Sequence, residues 1–298
     1  AALAAFCIGA ARLTWHGDAI RTKWVWLVFA ALFLLSTLRK PLLHGLAAVA
    51  FAGAAIATQY AGYRQPMLLS RSFFGVHRVH AMGLDGYIHR LVHGNTVHGA
   101  QDSREPRHAL TYFSPISGAG RVFTQLGHES RFDHVGIVGL GIGTLTAYGR
   151  PGQTMDLYEL DPDIVKVAAN PRYFTYLTDC QAQTNVIIGD ARLRLVEAPA
   201  NGYGLLVLDA FASDAIPVHL LTREAFDIYL RHLRPDGAIL VNISNRYLDL
   251  RPVVENAARQ LGYQVLHIDS DDGAGEDEDG GWWFYAASFM VLSRNQEF

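Results

Sequence analysis

The sequence predicts an α/β protein. Residues 131–298 are expected to form a parallel sheet with helices on both faces. A small antiparallel β unit (63–130) and an apolar helical segment (1–62) precede it. Three observations carry this prediction. From Phe132 onward, apolar strand-length runs alternate with helix-length stretches, the pattern of a helix-covered parallel sheet. Between Tyr63 and Arg131 the runs are short and are cut by Gly83, Asp85-Gly86 and Gly94-Asn95, which read as turns. The apolar excess of the chain is concentrated before residue 63.

Composition bounds the rest. The chain has 298 residues, 50% hydrophobic and 18% charged, against about 25% charged in an average soluble chain. Enough apolar surface is present for a core, which excludes a disordered chain. A net charge of −3 excludes a global basic field for nucleic acid. Two cysteines, Cys7 and Cys180, support neither a disulfide framework nor a Cys-rich zinc site.

The first 62 residues read as the end of a membrane domain. Residues 1–11 are apolar and begin without Met, so the chain reads as a fragment or a processed form. Residues 24–38 contain no charge, and 42–61 are interrupted only by His44, Thr58 and Gln59. A spanning helix needs about 20 apolar residues. The later run meets this, and the earlier one does so if Lys23 snorkels to the interface. Three such runs do not fit a single secretory signal; a buried helical hairpin is the soluble alternative. Arg12, Arg21 and Lys23 outnumber Arg39 and Lys40 by one charge, which places the first loop and the C-terminal body in the cytoplasm.

In the β unit, strands are expected at 72–80, 84–92 and 109–114, followed by a helix at 117–126. The larger sheet is expected to use strands at 134–140, 154–160, 185–188, 204–208, 238–243, 265–268 and 283–292. Helices are expected at 163–169, 222–233 and 252–261. The acidic run at 269–281 reads as a solvated loop without calcium-loop spacing.

Ligands of open α/β sheets sit at the carboxyl ends of the strands. The first strand ends in Gly139-Leu140-Gly141-Ile142-Gly143, where glycines let backbone approach a ligand beside a helix N-terminus. Thr144 stands where the dinucleotide fingerprint would have glycine. The second ends in Glu159-Leu160-Asp161, with Glu159 placed 20 residues after Gly139, the position of a ribose-binding carboxylate. The third ends in Asp190-Ala191, suited to an adenine amino group and ring nitrogen. The fourth ends in Asp209, with Ser213-Asp214 following. Glycine, Glu, Asp and Asp at four successive strand ends point to an adenosine-containing ligand.

With these residues in view, 134–262 resembles the spermidine synthases and, more broadly, the Rossmann-like S-adenosylmethionine-dependent methyltransferase fold. The likeness rests on Leu84-Asp85-Gly86, Tyr158-Glu159-Leu160-Asp161, Gly189-Asp190-Ala191 and the stretch from Asp209 to Pro217. The apolar start resembles the membrane-fused spermidine synthase-like proteins of bacteria, which implies a bacterial inner membrane location with a cytoplasmic catalytic body. The resemblance implies transfer of an aminopropyl group from decarboxylated S-adenosylmethionine to an amine such as putrescine, without a metal. An enzyme of intact S-adenosylmethionine, such as a methyltransferase, and a membrane-tethered nucleoside sensor are the alternatives; a homodimer stays open. Asp209 is the expected proton acceptor, and Asp214 the holder of a second ammonium. Gly139, Gly141, Gly143, Glu159, Asp161, Asp190 and Ala191 are expected to bind the nucleoside. His89, His93, His98, Gln101 and Tyr112 are expected to line the acceptor pocket; the spacing of the histidines fits no common zinc pattern. In the family, a glycine-loop aspartate neutralises the donor's ammonium. Ile142 stands at that place here, which favours the intact donor.

Overall fold

The computed structural model describes residues 39–42, 44–46, 49, 53, 65–83, 85–94, 96–200, 202–211, 216–245, 248–270 and 285–295. The chain divides into two compact units, 1–65 and 66–298. Among the described residues no helix is long and apolar enough to cross a membrane. The runs at 1–11 and 24–38, and most of 42–61, lie outside them.

The second unit opens with a four-stranded antiparallel sheet of β1 (Leu68–Arg71), β2 (Val76–Met82), β3 (Ile88–His93) and β4 (Thr96–Asp102), paired in chain order. Two of these were not expected. β1 is a four-residue edge strand, too short to carry a pattern, and β4 contains Gly99 and takes its order from pairing with β3. Residues 109–114, expected as a strand, form instead a 3-10 turn at Thr111–Phe113. Thr111 has φ of +62°, a left-handed conformation that no ladder accommodates and that a β-branched residue rarely adopts. Helix α1 (Gly118–Gln125) comes next, its Ser117 hydroxyl accepting from the Gly120 N–H as N-cap.

The larger sheet comprises β5 (His134–Val138), β6 (Thr154–Glu159), β7 (Gln183–Ile188), β8 (Tyr203–Leu208), β9 (Leu233–Asn242), β10 (Gln264–Ser270) and β11 (Ala287–Ser293), in the order β10-β11-β9-β8-β5-β6-β7. β5 to β9 are parallel, and β11 runs antiparallel between β9 and β10. Helices α2 (Pro162–Ala168), α3 (Tyr176–Asp179), α4 (Ala191–Glu197), α5 (Arg223–His232) and α6 (Arg251–Leu261) connect the strands. All of β8 is buried, as a central parallel strand must be. Its alternate residues feed two cores: Leu206 and Leu208 pack with Phe226 and Tyr229 on one face, Leu205 and Val207 with Val122 and Phe289 on the other. The chain order reverses between β5 and β8, so a crevice opens at their carboxyl ends.

The β unit is bound to this sheet by side chains. Val79 and Leu91 pack with Ile142, Ile164, Phe174 and Tyr176. The Tyr176 hydroxyl donates to the carbonyls of His108 (2.7 Å) and Ala100 (3.2 Å).

Candidate active site

The crevice is built from the expected strand ends. Gly139 has φ of +100°, and a Cβ there would lie 2.4 Å from the Asp209 carbonyl oxygen. The ends of β5 and β8 can touch only because residue 139 has no side chain. Gly141 (φ +54°) lies against the His98 carbonyl, and both glycines line the cavity. Gly143 does not; it faces Tyr176 and Leu177. The glycines lead into a five-residue 3-10 turn (Thr144–Tyr148) rather than the expected helix N-terminus. Ile142 is fully buried in the junction with the β unit and is not among the residues that line the cavity.

Glu159 sits at the end of β6 and lines the cavity. Its carboxylate accepts from the N–H of Asp161 (2.8 Å) and of Leu140 (3.1 Å), and burial pushes its pKa up against those donors. Asp161, expected beside it as a ligand group, also lines the cavity, and both its oxygens are engaged by the protein. One oxygen caps α2 by accepting from the Asp163 N–H (2.9 Å); the other accepts from Ser72 Oγ (2.5 Å) and His77 Nε2 (2.8 Å). It fastens the β unit to the sheet. Asp190 caps α4 at the Leu193 N–H (3.0 Å), and its second oxygen accepts from His219 Nε2 (2.9 Å). Asp190, Ala191 and His219 all line the cavity.

Asp209 comes directly after β8, on the far wall. Asn242 Nδ2, at the end of β9, donates to Asp209 Oδ1 at 2.6 Å. Burial raises the Asp209 pKa to about 7, the Asn242 hydrogen bond opposing it. Tyr112 stands close enough that, after burial itself, the Asp209 charge lifts its phenol further. Asp214 and Ser213 lie outside the described residues.

The histidines separate. β3 rises about 3.3 Å per residue, so His89 and His93 are roughly 13 Å apart along it. His89 Nδ1 bonds the Tyr173 carbonyl (2.7 Å) and its ring packs on Phe174, away from the cavity. Gln101 is also withdrawn; it is buried, accepts from the Thr175 N–H and donates to the Pro106 carbonyl. His93 faces its cross-strand partner His77 with ring centres 4.8 Å apart. His98 is brought in by a bulge: Leu91 pairs Gly99 and Val92 pairs Val97, leaving His98 as the extra residue. His77, His93, His98 and Tyr112 line the cavity. A second cavity of about 590 Å³ shares His98, Tyr112 and Phe211 with the first and continues past Asn242, Ser244 and Asp269. Sequence reasoning missed His77, His219 and the role of Asn242. Non-local pairing places the two histidines; the position of Asn242 at a strand end was the available signal. Among the described residues no group of His, Cys, Asp and Glu could hold a metal ion.

The sheet order defines the methyltransferase-like α/β class. Within it, the likeness to spermidine synthases read from the motifs is met by a sequence match over about a third of the chain and by spermidine synthases among the structures of similar fold. Over 111 residues the chain is 35% identical to a polyamine aminopropyltransferase of Vibrio vulnificus (strain CMCP6), a match spanning 36% of each chain. The match thus covers about a third of that relative's length. The fold is similar to a probable spermidine synthase from Corynebacterium glutamicum ATCC 13032 (TM-score 0.57, 15% identity, 78% of this chain and 81% of the other). It is also similar to spermidine synthase from Thermotoga maritima (0.50, 13%, 77% and 73%). No protein-family profile matches the chain.

Proposed function

We propose that the protein transfers an aminopropyl group from decarboxylated S-adenosylmethionine to an amine acceptor such as putrescine. The observation that carries this reading is the cavity wall. It presents Glu159, Asp161, Asp190 and Asp209 and, among the described residues, no Lys or Arg. Such a wall attracts a donor bearing a sulfonium and an ammonium and offers no cationic side chain to a carboxylate. The relative's name, polyamine aminopropyltransferase, supports the same chemistry. Glu159 is assigned to the ribose diol, Asp190 and Ala191 to adenine, and the second cavity to the acceptor. The amine nitrogen attacks the sulfonium carbon, a C–N bond forms as the C–S bond breaks, methylthioadenosine leaves, and Asp209 takes the amine proton. Asp214 is assigned to a second ammonium.

Calorimetry tests the donor. Decarboxylated S-adenosylmethionine should bind tighter than the intact form. Glu159→Ala should weaken both, and methylthioadenosine too, by about tenfold or more, since a hydrogen bond to a charged group is worth roughly 1.5–3 kcal/mol. Tighter binding of the intact form would overturn this reading in favour of a methyltransferase.

The proposal keeps residues 1–62 as the end of a membrane domain in a bacterial inner membrane, with the body cytoplasmic; the spanning length of the apolar run at 42–61 supports it. The 298-residue chain should then require detergent to remain monodisperse, and a monodisperse detergent-free preparation would remove the anchor.

A further inference from the structure

The β unit differs in charge from the rest of the chain. Between residues 63 and 101 stand Arg64, Arg71, Arg78 and Arg90 against a single acidic residue, Asp85, in a chain of net charge −3. Strand pairing sorts these side chains. Paired residues of an antiparallel sheet share a face, and successive residues alternate between faces. Val79 and Leu91 are cross-strand partners and pack with Ile142 and Ile164 of the larger unit. Leu69, Arg71, Val76, Arg78 and Arg90 therefore stand on the other face. Burial first, then Arg90 and Arg78, push the His80 pKa down, as cations sharing its face do. Asp85 lies beyond the opposite end of β2 from residues 72–75.

The turn that joins β1 to β2 carries an aromatic tip. Phe73 is 96% exposed, the highest value for a large apolar side chain among the described residues, and Leu69 on the same hairpin is 62% exposed. This turn is well fastened. The Ser72 N–H donates to the Gly75 carbonyl (2.9 Å), and the Phe74 N–H donates to Ser72 Oγ (3.1 Å). Ser72 Oγ in turn donates to Asp161. Phe74 meets Phe73 edge to face at 5.3 Å and lines the first cavity. One phenyl ring is thus held in the open by an ordered turn, beside a basic face. Exposed apolar surface rimmed by polar groups marks a site of interaction with a protein or a membrane.

Charge and position along the chain favour the membrane. A basic face with an apolar tip is complementary to an anionic lipid surface, where apolar side chains enter the headgroup layer and each nearby Arg adds attraction. β1 begins at Leu68, and the apolar run at 42–61 ends seven residues before it. Seven residues reach at most about 25 Å. The proposed membrane placement of that run therefore keeps a bilayer within reach of this hairpin.

We infer that the β1–β2 turn at Phe73, with the face bearing Arg71, Arg78 and Arg90, docks on the anionic surface of a phospholipid bilayer. The inference rests on the proposed membrane placement and goes beyond the proposed transfer reaction. Phe74 belongs to the same turn, so docking brings one wall of the first cavity to the lipid surface.

The test uses the full 298-residue chain in vesicles, with a nitroxide on Phe73→Cys in a Cys7→Ser, Cys180→Ala background. Collisions are read with lipid-soluble oxygen and with a water-soluble nickel chelate. Leu193→Cys, at a 62% exposed position of α4, is the control. In vesicles containing phosphatidylserine, the label at residue 73 should be reached by oxygen and shielded from nickel. The label at residue 193 should stay open to nickel. In pure phosphatidylcholine, or with Arg71→Gln and Arg78→Gln added, the ratio of docked to undocked chain should fall about tenfold or more. A label at residue 73 as open to nickel as that at residue 193 would overturn the inference. Shielding that is independent of phosphatidylserine and of both arginines would overturn it too, and would mean that protein covers the turn. Flotation keeps the two readings apart. A chain that does not float with the vesicles overturns the membrane placement and the inference with it. A chain that floats with residue 73 open to nickel overturns the inference alone.

Discussion

Asp209→Asn is expected to lower turnover by about 10²–10⁴-fold, the usual contribution of a general base, while nucleoside affinity stays near wild type. An alkylamine with a pKa near 10 is protonated at neutral pH and cannot attack. Its proton must be taken, and Asp209 is the carboxylate whose pKa, raised by burial to about 7, suits that task. The substitution keeps the shape of the side chain and an oxygen to accept the Asn242 N–H, now made at 2.6 Å. It removes the base and its charge. In the proposed arrangement ribose and adenine are held by Glu159 and Asp190, which lie at the ends of other strands and are untouched by the substitution.

The pH profile separates this from a general disturbance. The wild-type rate should rise as pH increases through about 7, where the Asp209 carboxyl ionises. The variant should lack that inflection and gain rate only as the free acceptor amine deprotonates. Stability runs the other way. A carboxyl whose folded pKa lies above its unfolded value adds stability that is fully present below the unfolded pKa and is lost as pH rises through about 7. Asp209→Asn should therefore gain thermal stability relative to wild type above neutral pH. Single-turnover rates with a competent amine, alongside melting curves on either side of neutral pH, measure both. A near-normal rate at neutral pH would remove Asp209 from the reaction and direct attention to the loop carrying Asp214.

The parts of this site that were legible in the sequence are those that the parallel register assembles automatically. Gly139, Glu159, Asp190 and Asp209 each lie at or just beyond the end of an apolar strand, and adjacent parallel strands bring their carboxyl ends to one edge. The same local logic was incomplete at Asp161, which lines the cavity but also serves as a cap, as a carboxylate at the start of a helix can. Its second oxygen is claimed by Ser72 and His77, 89 and 84 residues earlier in the chain, and no local pattern reports such a pairing. The histidines show why spacing alone was insufficient. His89 and His93 share a strand, but strand length carries His89 to the Tyr173 carbonyl, while a bulge on the neighbouring strand turns His98 into the site. Gly143 and Gln101 were drawn into the expected site by neighbouring motif residues, although packing against Leu177 and bonding to Thr175 account for them.

Gly139→Ala is expected to destabilise the protein by about 2–6 kcal/mol and to impair catalysis in whatever remains folded. Two separate costs add. Gly139 has φ of +100°, a conformation that costs any residue with a side chain roughly 1–3 kcal/mol. The added methyl would also lie 2.4 Å from the Asp209 carbonyl oxygen and 3.0 Å from the Ala210 nitrogen. Both are backbone atoms at the end of a fully buried strand, so no side-chain rotation relieves the overlap, and forcing volume into packed structure costs about 1–3 kcal/mol more. Gly152 provides the internal control. It too has a positive φ, +83°, but nothing lies within 4 Å of the position a Cβ would take, so Gly152→Ala should incur only the conformational part, about 1 kcal/mol. Urea unfolding of the two variants beside wild type measures the difference. Equal losses would mean that the approach of the β5 and β8 ends is not constrained at residue 139. A larger loss at Gly139, with turnover in the folded fraction reduced further, is the result expected if the glycine loop and the base are held as one piece by this single backbone contact.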